Sequence, residues 1–401
     1  MTINQLTLRI WIRIKNQPNY LTLFFLDLLI TIIYFPKYLY YLIKKQKIIA
    51  FDWGDGTYGS FYLPLFEKLD NSDLEVVFFF HFGKANQFGP NIFKKGLPRI
   101  YADLLDNKVV ICTGPSEYKK LPKTIRIQTF HGLVSFGAVW QKDFIDYFDI
   151  LFLATKFQWQ QLQREYKKVA AGKKIFKVGY PKIDKYISIK GKKKNVEGDN
   201  VTLFYGPTYH REISSIFEFL PIIVKMCEKN NYKLIVKLHP LLYHKHSYDL
   251  SGGIDWPKEI YKYQKAYRNI IFLEKNENDY NLGEYFRMSN VFLTDVSSIG
   301  FEFVLSTSKP IIFLGNKLKI PLDDLQKGNI RKYEKYPEIY YRGKIGPIVG
   351  KPYQLETTLK RTVEGDGHKT ERERFRREFI FNLGTSTDVA VSKIRETYED
   401  L

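Results

Sequence analysis

The chain has 401 residues, with 62 Lys and Arg against 43 Asp and Glu, for a formal charge of +19. Hydrophobic residues make up 44%, which supports a packed core and excludes global disorder, and the length suits two domains better than one core. The two cysteines, Cys112 and Cys227, lie far apart, which excludes a disulfide framework and a cysteine-based zinc site and points to a reducing compartment. The surplus of positive charge demands an anionic partner: nucleic acid, anionic lipid or an anionic substrate.

Residues 20–35 are apolar apart from Asp27 and two threonines, and Pro36 follows. Arg9, Arg13 and Lys15 precede this run, and Lys44, Lys45 and Lys47 close it. Sixteen helical residues cover roughly 24 Å, slightly short of a bilayer's hydrocarbon core. No small-residue cleavage site is present, which argues against a secretory signal peptide. The segment reads as a membrane-interface helix, a spanning helix with Asp27 buried against a partner, or a core helix. The charges at both ends favour the membrane surface.

From residue 48 the pattern becomes strand–helix alternation. The runs at 47–53, 75–82, 108–114, 124–130 and 149–155 are short, apolar and rich in β-branched residues, with helical patterns such as 61–69 and 157–166 between some of them. This predicts a parallel sheet covered on both faces. A Lys-rich, Gly-containing stretch at 186–200 reads as a linker. Strand patterns resume at 201–207, 232–240, 269–275, 290–295 and 310–315, with a helix starting near Ser214 or Ser215. The tail from 366 to 401 is charged and helical in pattern. The organisation read from this is 1–47, a membrane-associating segment; 48–185 and 201–365, two α/β domains; 186–200, the linker; and 366–401, the tail.

Ligands in such sheets bind beyond the carboxyl ends of the strands, so the residues there are the candidates. His131-Gly132 follows one strand of the first half, where a histidine can take a proton near neutral pH. Gly179, Tyr180, Pro181, Lys182 and Asp184 close that half. In the second half Gly206-Pro207-Thr208 leads to Tyr209, His210 and Arg211. Lys237-Leu238-His239-Pro240 follows the next strand. His244 and His246 come soon after, but no carboxylate or cysteine completes a ligand set with them. Thr294-Asp295-Val296-Ser297-Ser298 ends another strand. There Asp295 or a serine is expected to cap a helix whose free N–H groups face outward as an anion site.

The order of these turns resembles the CDP-glycerol glycerophosphotransferase family of the teichoic-acid polymerase type, over roughly residues 48–350. The carrying elements are Thr129-Phe130-His131-Gly132, Gly179-Tyr180-Pro181-Lys182-Ile183-Asp184, Gly206-Pro207-Thr208, Leu238-His239-Pro240 and Thr294-Asp295-Val296-Ser297-Ser298. The chain departs from the family pattern at Val296, where Tyr is usual, and at Phe130, where Trp is common. The late glycine–serine element is reduced to Gly384-Thr385-Ser386-Thr387-Asp388, without its arginine.

The resemblance implies a GT-B-like α/β fold, with two facing Rossmann-like domains behind the N-terminal apolar membrane-associating helical segment. It implies transfer of a polyol phosphate from a CDP-activated donor, CDP-glycerol foremost, to a hydroxyl of an anionic cell-surface polymer or lipid-linked primer, with release of CMP. It places the chain at the cytoplasmic face of the cell membrane, on an anionic membrane surface. An in-line displacement at phosphorus needs a base for the acceptor and charge stabilisation around the pyrophosphate. The expected roles are His131 as general base and His239 at the pyrophosphate or leaving group. Thr208, Arg211, Lys237, Thr294, Asp295, Ser297 and Ser298 are expected to hold the donor, with Gly132, Gly179, Pro181, Gly206, Pro207 and Pro240 supporting. No cofactor and no metal is expected, because such sites offset the leaving charge with helix dipoles and basic side chains. Two other readings are a nucleotide-sugar glycosyltransferase or epimerase on the same fold, and a non-catalytic basic module binding membrane or nucleic acid. The spread of the lysines argues against nucleic acid, which asks for a basic stripe with stacking aromatics.

Overall fold

The short apolar runs become strands of two parallel sheets in the computed structural model. It describes residues 20–44, 48–52, 59–70, 74–80, 96–98, 101, 105, 107–113, 124–129, 132–133, 142–188, 201–243, 252–273, 282–315 and 337–401. The first sheet holds β1 (Ile48–Asp52), β2 (Val76–Phe80), β3 (Gly96–Pro98), β4 (Asn107–Cys112), β5 (Ile125–Gln128), β6 (Ile150–Leu153) and β7 (Lys174–Lys177), in the order β3-β2-β1-β4-β5-β6-β7. The second holds β8 (Thr202–Gly206), β9 (Lys233–Lys237), β10 (Ile270–Leu273), β11 (Val291–Thr294), β12 (Ile311–Leu314) and β13 (Ile348–Val349), in the order β10-β9-β8-β11-β12-β13. Each order runs outward one way and then reverses, between β1 and β4 and between β8 and β11. These reversals are the crevices where doubly wound sheets take ligands.

The strands are continuously apolar because helices cover both faces. β1, β6, β8, β11 and β12 are buried at every residue. β3 and β13 have only three and two residues, too short to show a strand pattern in the sequence. One apolar cluster runs from the first sheet (Ala50, Val110, Leu151) through Tyr186 and Phe301 to the second (Phe204, Phe292, Phe313), so the halves share a core. Helix Lys156–Glu165 begins with a capping box: Gln158 N donates to Thr155 Oγ1 at 3.2 Å, and Thr155 N donates to Gln158 Oε1 at 3.1 Å.

The charged tail is not an appendage. Helix Lys369–Phe379 ends sooner than the sequence pattern suggests, and Ile380 forms a bridge with Thr155 of the first half. The last helix, Ser386–Glu399, then lays Ala390, Val391 and Ile394 into the apolar layer of the first sheet, beside Phe66 and Ile111. Helix Pro181–Ser188 enters the expected linker, whose residues 189–200 lie outside the described set.

Helix Tyr20–Lys44 continues through Pro36. It docks on the first sheet's edge through Tyr38, stacked on Tyr101 at 4.6 Å, Lys37 Nζ donating to Gly96 O at 2.9 Å, and Tyr41 Oη donating to Glu75 Oε1 at 3.1 Å. Its opposite face exposes Leu29, Ile32, Ile33 and Ile43, an inversion of the usual surface helix. No helix among the described residues is long and apolar enough to cross a membrane.

Candidate active site

Parallel pairing of β9, β8 and β11 sets three of the singled-out turns side by side. Gly206 pairs with Thr294, and Thr294 Oγ1 donates to Gly206 O at 2.7 Å. Gly206 is needed for closeness: a Cβ there would lie 2.9 Å from the Phe292 ring and 3.2 Å from Ile299. The turn that follows carries Pro207 and Thr208, both buried. Lys237 is buried at the end of β9, and Arg211 is exposed beyond the Thr208 turn. The turns that end β8, β9 and β11 thus bring Thr208, Lys237, His239, Thr294, Asp295, Ser297 and Ser298 to the second half's switch point.

Asp295 does not cap the helix after it. The next helix is Ile299–Thr307, and its cap residue Ser298 has helical φ and ψ and makes no side-chain cap bond. Asp295 turns inward instead, at 1% exposure. Its Oδ1 accepts from Thr208 N at 2.8 Å, and its Oδ2 accepts from Ser215 N at 2.7 Å and Ser215 Oγ at 2.9 Å. A carboxylate beside the start of helix Ile216–Lys229 meets that helix's positive end, which offers more than a hydroxyl partner could. Burial pushes the Asp295 carboxyl up, and the hydrogen bonds from Ser215 and Thr208 pull it back. Asp295 therefore braces the crevice across β8 and β11 rather than presenting an oxygen to a ligand. The hydroxyls of Ser297 and Ser298, both half-buried, have no partner among the described residues. The outward N–H groups expected at the start of helix Ile299–Thr307 are largely taken: Gly300 N donates to Ser297 O at 3.3 Å and Phe301 N to Ser298 O at 3.0 Å, so the helix offers this spot its positive end more than free donors.

His239 is half-buried, in the turn between β9 and the short helix Pro240–Tyr243. Its Nδ1 accepts from Leu241 N at 3.2 Å. The neutral ring therefore carries its proton on Nε2. Tyr209 packs its ring against the imidazole at a centroid distance of 4.6 Å and fixes its plane. Pro240 closes the turn that makes the Leu241 bond possible.

On the first half, β5 delivers Thr129, whose N donates to Cys112 O at 2.9 Å, and then Gly132, which is buried. His131 and Phe130 lie outside the described residues, as do His244 and His246. Gln128 is fully buried at the end of β5, and neither of its amide atoms has a partner among the described residues. No group of three or more acidic, histidine or cysteine side chains among the described residues could hold a metal ion.

The Gly179–Asp184 element forms the joint between the halves. Gly179 has φ of 97°, and a Cβ there would lie 2.2 Å from Ser386 Oγ and 2.3 Å from Phe381 O. Pro181 opens helix Pro181–Ser188, where its missing N–H costs nothing. Lys182 Nζ lies 3.1 Å from Glu302 Oε2, with side chains 8% and 7% exposed, and ties this helix to helix Ile299–Thr307 of the second half. Asp184 accepts from Gly384 N at 2.9 Å, Thr387 N at 2.6 Å and Thr387 Oγ1 at 3.0 Å. The late Gly384–Asp388 element thus docks on the first half.

Sequence reasoning missed Glu302, Ser215, Tyr205 and Arg342. Glu302 carries a usable signal, a lone acid inside the apolar run Ile299–Leu305. The other three carry none in the local pattern.

A family model described as CDP-glycerol:poly(glycerophosphate) glycerophosphotransferase matches residues 38–381. The chain is 25% identical over 236 residues to a teichoic acid glycerol-phosphate primase of Bacillus spizizenii. That match covers 56% of this chain and 53% of the primase, so it spans about half the length of that relative. Among solved structures, the wall teichoic acid polymerase TagF superposes with a TM-score of 0.59 at 17% identity, covering 89% of this chain and 90% of that one. A UDP-GlcNAc 2-epimerase from Neisseria meningitidis, bound to UDP-GlcNAc, superposes with a TM-score of 0.55 at 12% identity, covering 88% and 100%. Both structures show the same two-sheet fold.

Proposed function

The chain belongs to the CDP-glycerol:poly(glycerophosphate) glycerophosphotransferase family, and on that premise we propose that it moves glycerol phosphate from CDP-glycerol to a hydroxyl of a cell-surface polymer or lipid-linked primer, releasing CMP. The observation that carries the reading is the second half's switch crevice. There the turn of His239, whose neutral ring carries its proton on Nε2, follows β9, and Ser297, Ser298 and the start of helix Ile299–Thr307 follow β11, on the two sides of β8. Such a set suits a pyrophosphate.

In the reaction the acceptor O–H gives its proton to His131, and the oxygen attacks the glycerol-bearing phosphorus of the donor. The new P–O bond forms as the P–O bond to CMP breaks. His239 donates a hydrogen bond from Nε2 to the departing phosphate, which leaves as the CMP anion, while Ser297, Ser298 and the helix start hold the charge that collects there. Lys237, buried at the end of β9, and Arg211, exposed at the rim, add positive charge. Asp295 works by holding the Thr208 turn still. The family name and the basic surface support the polyanionic acceptor. The outward apolar face of helix Tyr20–Lys44 supports residence on an anionic membrane face at the cytoplasmic side.

The test is CMP release from CDP-glycerol, CDP-ribitol and UDP-sugars, with and without a membrane fraction. Release from CDP-glycerol with a polymer or lipid-linked acceptor is expected. No release from any CDP-polyol, combined with turnover of a UDP-sugar, would move the chain to the nucleotide-sugar chemistry of the epimerase that shares its fold.

A further inference from the structure

Arg342 is an arginine with almost no contact with water, at 1% exposure, in the segment that follows helix Pro337–Tyr340. A guanidinium is among the costliest groups to bury, and it stays buried only against partners that repay the lost hydration. Its partners are partial. Nη2 donates to Leu314 O at 3.2 Å and Gly315 O at 2.7 Å, at the carboxyl end of β12. The guanidinium lies over the Phe313 ring at 5.6 Å. Nε has no partner among the described residues.

The ladder says what else is there. Thr294 of β11 pairs with Phe313 of β12, so Asp295 stands level with Leu314, the residue whose carbonyl takes Nη2. Asp295 makes no direct ion pair with Arg342, but it is the carboxylate whose charge acts on the guanidinium through space from that level of the ladder. Burial pushes the guanidinium down to about 10, and the Asp295 charge opposes that shift. The titratable groups that face Asp295 are Arg342 and, from β8, Tyr205, whose Oη lies 2.9 Å from Ser215 Oγ. Burial first and the Asp295 charge second hold the Tyr205 phenol far above its ordinary range, so it stays neutral.

We infer that Arg342 is a positioning residue of the donor crevice: its buried guanidinium is the counter-charge of Asp295, and the pair fixes the Thr208 turn and the helix start at Ser215. Both Asp295 oxygens accept from N–H or O–H donors, which a carboxylate does and a protonated carboxyl does only in part. Without the arginine the carboxyl would take a proton at higher pH, one oxygen would stop accepting, and the turn beneath the donor would loosen. The inference rests on the reading that this crevice takes a CDP-linked donor.

The test compares wild type with Arg342→Met, Arg342→Lys and the double variant Asp295→Asn/Arg342→Met. Thermal melting and CDP-glycerol binding by calorimetry are followed from about pH 5 to about pH 9, across the ordinary range and the raised range of a carboxyl. Arg342→Met raises the folded-state pKa of Asp295, so its melting deficit against wild type is full at high pH and shrinks on acidification. Its donor affinity moves the other way, with the acid limb lying about one pH unit or more above that of wild type. Arg342→Lys keeps both wild-type profiles, because it keeps the charge. The double variant, with no carboxyl to titrate, has a melting deficit independent of pH and no displaced limb. A melting deficit in Arg342→Met that is the same at every pH, or an affinity limb that does not move, overturns the inference. If Arg342→Met alone does not fold, recovery of folding in the double variant supports the pair, and failure of both overturns it. Wild type that binds no CDP-glycerol would remove the donor reading, while the melting profiles would still decide the pair.

Discussion

The Lys182–Glu302 pair gives the most demanding test of how the halves are joined. Its 3.1 Å separation corresponds to an attraction of about 5 kcal/mol at an effective dielectric constant of about 20. Both side chains are under 10% exposed, so water screens the pair little and each ion has given up most of its hydration. Lys182→Met removes the buried cation beside Glu302, and breaking a buried pair from one side costs about 3–5 kcal/mol. Amide hydrogen exchange in helices Pro181–Ser188 and Ile299–Thr307 should read this as a loss of protection between about a hundredfold and several thousandfold, at about 1.4 kcal/mol per tenfold. Removing the second charge as well, in Lys182→Met/Glu302→Leu, should restore most of the protection, because an apolar pair of similar volume is often neutral or better. The reasoning is refuted if the single variant loses less than about tenfold, or if the double variant is as open as the single one.

His131→Ala should abolish turnover while largely sparing CDP-donor binding, and His239→Ala should weaken both; retained turnover in folded His131→Ala would sink the base assignment. Asp184→Asn should lower the melting temperature by removing an acceptor for Thr387, at about 1–3 kcal/mol. Burial raises the Asp184 carboxyl, so the fold binds that proton more readily than the unfolded chain, and wild type should lose stability as pH rises through the interval from the unfolded pKa to the raised one. Asp184→Asn should lack that segment of the melting profile. Ile32→Glu/Ile33→Glu should weaken sedimentation with anionic vesicles by about tenfold or more, each side chain being worth roughly 1.5–3 kcal/mol of burial, and leave turnover on a soluble acceptor intact. Unchanged sedimentation would remove the apolar face as the lipid contact.

The sheets were readable because each central strand is a short apolar run stopped by a polar turn, a local signal. The crevice was readable for the same reason: its residues follow strands, and parallel pairing alone sets them side by side. What was not readable depends on direction or distance. Asp295 was expected to serve the helix that follows it, because capping is a local rule. It serves the start of a helix some eighty residues earlier, which only the β8–β11 pairing brings near. The Gly384–Asp388 element looked like a worn donor motif. Its backbone N–H groups are spent on Asp184, two hundred residues away in sequence. Arg342 is one arginine among many in a basic chain, and no period or spacing marks it as buried. The apolar run at 20–35 forms a helix, as its pattern suggests, but the docked aromatic side, centred on Tyr38 and Tyr41, lies beyond Pro36, outside that run.

Asp184 and Asp295 perform the same physical task in the two halves, and this narrows where the chemistry resides. Each is a buried acid from a recognisable sequence element, and each accepts from backbone N–H groups near the start of a helix on another segment: Ser386–Glu399 for Asp184, Ile216–Lys229 for Asp295. Burial raises both carboxyls, but their lone pairs point at these donors inside the fold, so neither is placed to take a proton from a substrate hydroxyl. Glu302 is likewise held by Lys182. This favours the proposed roles, in which imidazole, with an ordinary pKa near neutral pH, handles the proton and hydroxyls, helix ends and cations handle the charge. Only five of the described lysines and arginines are buried: Arg126, Lys182, Lys237, Arg342 and Arg372. Lys182, Arg342 and Arg372 each have a structural partner, Glu302, the carbonyls that end β12, and Asp366. The rest of the described cations lie at least partly in water, so the positive charge of the described residues is largely a surface field. A field of that kind would draw in the proposed polyanionic acceptor and anionic bilayer face over a Debye length of about 8–10 Å, and salt weakens it. Salt should therefore act on acceptor capture and membrane residence well before it acts on the dry ion pair that joins the halves.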